Sequence, residues 1–263
     1  MKISSYFRFT MAVWKNNLLN LALSWRVIVF RLIFLVVNNI LLLSFWYIYF
    51  LNIASKSNIS MDHIFALYGY VTVVFGLISC FFGNTTKLSH LIFNGHLDLY
   101  ITGPRNTLYH CIIDRSSITG VADLAFGFGC LTLSGIINIQ NFWILFFIIP
   151  SSICIFIGSC ITIQSLSFWL GDLRNVSKQF IINLLTFSFY PIQIFPKAIV
   201  IILCSVIPAQ LIANIPVYIT KEVNFLYLLV YLFISFIFLL IGGFVFYQGK
   251  KKYNADALLG SAK

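Results

Sequence analysis

Charge is what this sequence has least of: 9% of its 263 residues are Asp, Glu, Lys or Arg, against roughly 25% in soluble domains. Only seven are acidic: Asp62, Asp98, Asp114, Asp123, Asp172, Glu222 and Asp256. That leaves little material for acid–base catalysis. There is no GxxxxGK[ST] phosphate loop, no GxSxG elbow and no HExxH, so the sequence carries none of the usual marks of an ATPase, a serine hydrolase or a zinc protease. It has no CxxC either. The six cysteines lie within or at the edges of apolar runs, where small buried hydrophobes are expected rather than metal ligands. Basic and aromatic residues are not interleaved in a polar loop, which argues against a nucleic-acid surface.

What remains is apolar: 60% hydrophobic and 17% aromatic, with a mean hydropathy of +0.95. Six runs approach or exceed the ~20 residues that cross ~30 Å of hydrocarbon. They are Val27 to Leu51, Ile64 to Phe82, Ile113 to Ile137, Phe142 to Leu170, Phe180 to Ile207 and Phe225 to Tyr247. The N-terminal stretch has no small-residue cleavage site and is expected to be retained. There, Phe7, Met11, Trp14, Leu18, Leu21 and Trp25 recur at helical spacing, with Arg8, Lys15, Asn16 and Asn20 on other faces. Such a segment is expected to lie in the membrane plane. The fold class is therefore an all-α integral membrane protein, a single transmembrane domain with an interfacial helix over 4–25 and six transmembrane helices.

Lys and Arg set the orientation, because they stay on the cytoplasmic side during insertion. With the N-terminus inside, fourteen fall on inner segments and only Lys56, Lys197 and Lys221 on outer ones. Both termini are then cytoplasmic, in a multi-pass protein of the plasma membrane, a bacterial inner membrane being expected. This distribution also accounts for the net charge of +10. The tail over 248–263 is polar and basic at its start, suited to anionic lipid.

Two polar or broken stretches stand out. Between the second and third spans, over 84–108, Asn94-Gly95 and Gly103-Pro104 bracket the segment HLDLYIT. Leu97, Tyr100 and Ile101 share one face of a short helix, with Asp98 near its start. An exposed apolar helix there would mark a protein partner. Later, Pro191, Pro196, Pro208 and Pro216 fall within 26 residues. One straight helix cannot contain them, so the fifth span is expected to break near Tyr190-Pro191. The rest, over 190–217, would re-enter the outer leaflet as a hairpin packed on protein. Asp123, inside the third run, is read either as a proton or cation relay or as a carboxylate hydrogen-bonded between helices.

The order of these features resembles the permease subunits of ABC-2-type exporters: the in-plane N-terminal helix, six spans, Gly95-x-Leu97-Asp98-x-Tyr100 followed by Pro104, then Tyr190-Pro191, Ile207-Pro208 and Pro216. The resemblance implies that Gly95, Leu97, Asp98, Tyr100, Pro104 and Arg105 form a coupling helix docking on a separate ATP-binding subunit. Asp172 and Arg174 in the next inner loop are the second candidate contact. It also implies two permeases, identical or related, with two ATP-binding subunits. ATP and Mg belong to those partners, and this chain holds no cofactor. Candidate pathway residues are Asn38, Asn39, Tyr68, Tyr70, Asn183, Tyr190 and Gln193, each of which also suits interhelical hydrogen bonding. Aromatic, uncharged spans favour a lipophilic or amphipathic cargo. The alternatives are an ion-coupled secondary transporter, although the breakers are not repeated in both halves, and a non-transporting scaffold.

Overall fold

The computed structural model describes residues 3–22, 25–53, 60–117, 119–136 and 141–253. Among these there are helices and turns but no strand. The tail beyond 253 and the side chains of Leu18, Asn20, Leu21 and Trp25 lie outside the described set. In chain order the helices are α1 (Ile3–Ala22), α2 (Trp25–Ile53), α3 (Met61–Phe81), α4 (Leu88–Phe93), α5 (Asp98–Ile101), α6 (Thr107–Ile113) and α7 (Thr119–Leu133). They continue as α8 (Phe142–Ser165), α9 (Ser167–Leu170), α10 (Arg174–Ser188), α11 (Lys197–Ser205), α12 (Ala209–Ile212), α13 (Asn214–Glu222) and α14 (Phe225–Lys250).

Among the described residues, three helical segments are both long and apolar enough to cross a membrane: Met61–Phe81, Phe142–Leu170 and Phe225–Lys250. Two shorter apolar stretches, Leu32–Ile48 within α2 and Gly120–Leu133 within α7, stand beside them. The third and fifth apolar runs are not continuous helices. Ile113 closes α6, and the chain from Asp114 to Ser117 is non-helical before α7 begins. Its backbone is tied to the end of α3 by Gly83 N–H donating to Arg115 O (2.9 Å) and Ser117 N–H donating to Ser79 O (2.8 Å). The fifth run starts earlier than expected, at Arg174, and α10 has 15 residues, about 22 Å of rise.

The break after α10 falls at Phe189 to Pro191, where the prolines placed it. A short 3-10 turn follows, and then α11 and the α12–α13 segment meet at a 70° bend. Lys197 and Lys221 are exposed at the two ends of this hairpin. Backbone groups released by the break find side-chain partners. The fully buried Asn214 accepts from Ile192 N–H through Oδ1 and donates through Nδ2 to Tyr190 O, both at 3.0 Å. Gln210 Nε2 donates to Phe187 O at 3.3 Å. Tyr231 Oη donates to Leu211 O at 2.8 Å, which anchors the hairpin to α14.

The two most extensive helix contacts are α3 with α7 and α8 with α14. Both cross on glycine. A Cβ on Gly242 would stand 2.7 Å from the Gly158 carbonyl oxygen, and one on Gly120 would stand 2.5 Å from that of Gly76. Small residues at such crossings let backbones approach where lipid provides no hydrophobic drive between helices.

On α1, Tyr6, Phe9, Thr10, Trp14 and Asn17 face the rest of the protein. Trp14 Nε1 donates to Phe81 O (3.2 Å), and Thr10 Oγ1 pairs with Tyr109 Oη (2.6 Å). Phe7 and Met11 point outward. The protein-facing stripe is thus rotated from the apolar stripe expected from the sequence, because Thr10 and Asn17 have polar partners on α6 and the α6–α7 link.

Asn214→Ala would orphan two buried backbone groups. It is expected to lower stability in detergent by about 1–3 kcal/mol per group, seen as a reduced midpoint in thermal or denaturant unfolding. Gly158→Ala is expected to cost about 1–3 kcal/mol through overpacking, while Gly243→Ala, which meets no neighbour within 4 Å, should leave the same midpoint unchanged or slightly raised.

Candidate functional site

Gly95 permits the turn that begins the first polar loop. Its φ of +75° lies in the left-handed region. The chain then folds back on α4, with Leu97 N–H donating to Leu91 O at 3.1 Å, and Leu97 is fully buried. Tyr100 is buried as well and donates from Oη to Asp114 Oδ2 at 2.7 Å. Burial, followed by that hydrogen bond and the Asp114 charge, raises the pKa of its hydroxyl. The apolar face of α5 is therefore turned into the protein, not outward as the sequence suggested. A single helical turn cannot hold its own apolar residues in water, so α4 and α6 cover them.

The outward face of the loop is instead His96, Asp98, Leu99, Thr102 and Pro104. Leu99 is 72% exposed. Arg105 places its guanidinium 4.8 Å from the Tyr6 ring centre and 5.4 Å from that of Phe9, tying the loop to α1 through cation–π contact.

The second loop meets the first. Asp172 and Arg174 form a bidentate pair, with Nη2 to Oδ2 at 2.7 Å and Nε to Oδ1 at 2.8 Å. Hydrogen bonds from Arg174 hold the Asp172 pKa down to about 2. The same guanidinium lies 4.5 Å over the Phe93 ring and donates from Nη1 to Asn94 Oδ1 at 3.4 Å. An exposed pair of this kind adds little stability. What Arg174 does is fix the second loop to the turn at Asn94-Gly95, so residues 80 positions apart share one surface.

Of the candidate pathway residues, Asn38 and Asn39 on α2 meet Asp123 of α7 in one cavity of about 240 Å³, whose wall includes Thr72, Phe75 and Phe189. Both Asn39 and Asp123 are buried there, and Asn39 Nδ2 has no hydrogen-bond partner among the described residues. Tyr68 stacks on Phe189 with ring centres 4.5 Å apart, and Tyr190 meets Trp46 edge-on at 5.4 Å. These rings form the aromatic margin of the same region. Asn183 accepts from Gln179 on the half-open side of α10. Tyr70 and Gln193 are placed elsewhere: Tyr70 is fully buried against Thr220, and Gln193 donates to Tyr218 in the hairpin. In the sequence, Asp123 and the pathway candidates Asn38 and Asn39 stand apart, with nothing to join them. The neighbours of Asp123 on α2, α3 and α10 are far apart in the chain and carry no shared motif.

Tyr100→Phe is expected to cost about 1–3 kcal/mol by leaving Asp114 without its donor, whereas Leu99→Ser should stay within about 0.5 kcal/mol. Unfolding midpoints of the two variants in detergent would separate the internal from the external face of α5.

No curated protein and no solved structure matches the chain. A family profile described as ABC-2 family transporter protein matches residues 35–257. That span takes in α3 to α14, both polar loops, the hairpin and most of α2. Permeases of this family work with ATP-binding subunits. The all-helical fold, its apolar spans and this match together make the chain a multi-pass membrane protein that belongs to the ABC-2 transporter family.

Proposed function

We propose that the chain is the permease half of an ATP-driven exporter, with its mechanical input arriving at the joint surface of the two polar loops. The observation that carries this reading is the Arg174 bridge to Asn94, which ties the loop of Asp172 to the turn that leads into the exposed Asp98 and Leu99. Such a surface offers an apolar knob beside charge, the form of a docking surface whose rim steers association and whose centre supplies contact. Behind it, Tyr100 couples the patch to Asp114, and the Gly83 and Ser117 backbone bonds couple that segment to the end of α3. A push on Leu99 is thereby delivered to the α3–α7 pair rather than absorbed in a loose loop.

In this reading two permeases and two ATP-binding subunits assemble, with ATP and Mg held on the latter. The outward apolar faces of α2 and α10, including Phe30, Phe34, Val176 and Ile182, suit lipid or the second permease. Cargo is lipophilic or amphipathic, and the Asp123 cavity with its aromatic margin is the nearest feature to a pathway. The two states must bind cargo with different affinity for ATP to drive flux.

The test is flux and ATP hydrolysis in proteoliposomes holding the co-purified complex. Leu99→Asp and Asp98→Lys are expected to cut ATP-driven flux about tenfold or more, equivalent to ~1.4 kcal/mol of coupling, with insertion unchanged. Undiminished flux in both variants contradicts the docking role. Because no described residue in the wall of the Asp123 cavity is cationic, an ion-coupled mechanism is the second reading. Asp123→Asn should leave ATP-driven flux intact, and a proton-gradient-driven flux that disappears with this change would favour the second reading.

A further inference from the structure

A cavity of about 570 Å³, separate from the Asp123 pocket and basic in character, lies among the turn after α3, α4, Arg115 and the start of α10. We propose that it binds the phosphate-bearing headgroup of an anionic lipid. Lys87, Arg115 and Lys178 line it together with Arg174, which Asp172 already pairs, and no described acidic side chain does. Among the described residues the ion pair within 4 Å is Asp172–Arg174, so the other three cations have no carboxylate at contact distance. Three like charges around one cavity repel one another and raise its potential, an arrangement that an anion relieves.

Asn84 supplies an independent reason for a ligand. It is 1% exposed and lines the same cavity, yet neither its Nδ2 nor its Oδ1 has a hydrogen-bond partner. A buried amide left unsatisfied costs free energy, and such groups in folded proteins normally meet a protein, water or ligand partner.

The remaining wall favours a lipid over a soluble phosphate ester. Leu91 and Ile182 present apolar surface beside the cations, and Ile182 is 44% exposed on the outward side of α10. Lys87 follows the end of α3, Arg115 precedes α7, and Lys178 lies in the second turn of α10. All three cations thus sit where apolar helices end, at the height of lipid headgroups in a chain that spans the bilayer. An acyl chain could run down α10 while its phosphate occupies the cavity.

The inference does not depend on transport, and its test does not use it. The full-length chain, purified in detergent and exchanged into an equimolar mixture of dioleoylphosphatidylglycerol and dioleoylphosphatidylcholine, would be analysed for retained lipid by native mass spectrometry. Retention of phosphatidylglycerol over phosphatidylcholine is expected. Each of Lys87→Gln, Arg115→Gln and Lys178→Gln is expected to lower that preference about fivefold, the equivalent of ~1 kcal/mol per basic residue near an anionic surface. Lys178→Gln changes an exposed side chain, so the comparison survives if the other variants fold poorly. Asn84→Asp, which places a carboxylate in the cavity, is expected to abolish the preference. Equal retention of the two lipids by the unaltered protein overturns the proposal, as does a preference that none of the variants changes. Glycerol 3-phosphate is the soluble arm: a rise in melting temperature with it, without any lipid preference, overturns the lipid assignment in favour of a soluble phosphate ester.

Discussion

Hydrocarbon has no hydrogen-bonding partner for a peptide group, so any place where an apolar chain leaves the helix must be answered from within the protein. This constraint organises the C-terminal half of the structure. Four prolines between Pro191 and Pro216 forbid a continuous helix, and Asn214, Gln210 and Tyr231 supply the donors and acceptors that the broken backbone needs. The hairpin is a consequence of both: proline makes the break, and buried amide and phenol groups make it tolerable. The same logic applies between α6 and α7, where backbone bonds to Ser79 and from Gly83 replace the missing helical turn.

The polar loops follow a different rule. α4, α5 and α6 are too short to be stable alone, and each is held by what it buries. Leu97 and Tyr100 enter the core, Arg105 lies on the α1 rings, and Arg174 reaches across to Asn94 and Phe93. The result is a rigid platform with a small apolar tip at Leu99. A platform of this kind can transmit a displacement, because its inner face is packed against α3 and α7 through Asp114 and the link that follows it.

Much of the architecture was legible in composition and order. Low charge and long apolar runs mark a membrane protein, and the proline spacing located the break after α10 within a residue or two. The motif around Gly95 was placed correctly as a turn and a short helix, since positive φ and a glycine go together. Less legible was which face of that helix is free. Helical spacing groups Leu97, Tyr100 and Ile101, but it does not say whether they meet this protein or another one. The run from Ile113 to Ile137 also read as one span, because hydropathy does not register the polar link from Asp114 to Ser117 when apolar residues flank it.

The sequence by itself determined the solvent this chain lives in, the length of its apolar segments and the positions where proline and glycine forbid or permit a turn. Those are local properties, set by transfer free energy and by φ restrictions of single residues. Tertiary structure alone decided that Arg174 joins two loops, that Asn38 and Asn39 face Asp123, and that Lys87, Arg115 and Lys178 surround one cavity. Each of these depends on how separate helices cross, and the crossings are set by glycine contacts such as Gly158 on Gly242 and by interhelical hydrogen bonds, which no periodicity in one segment encodes.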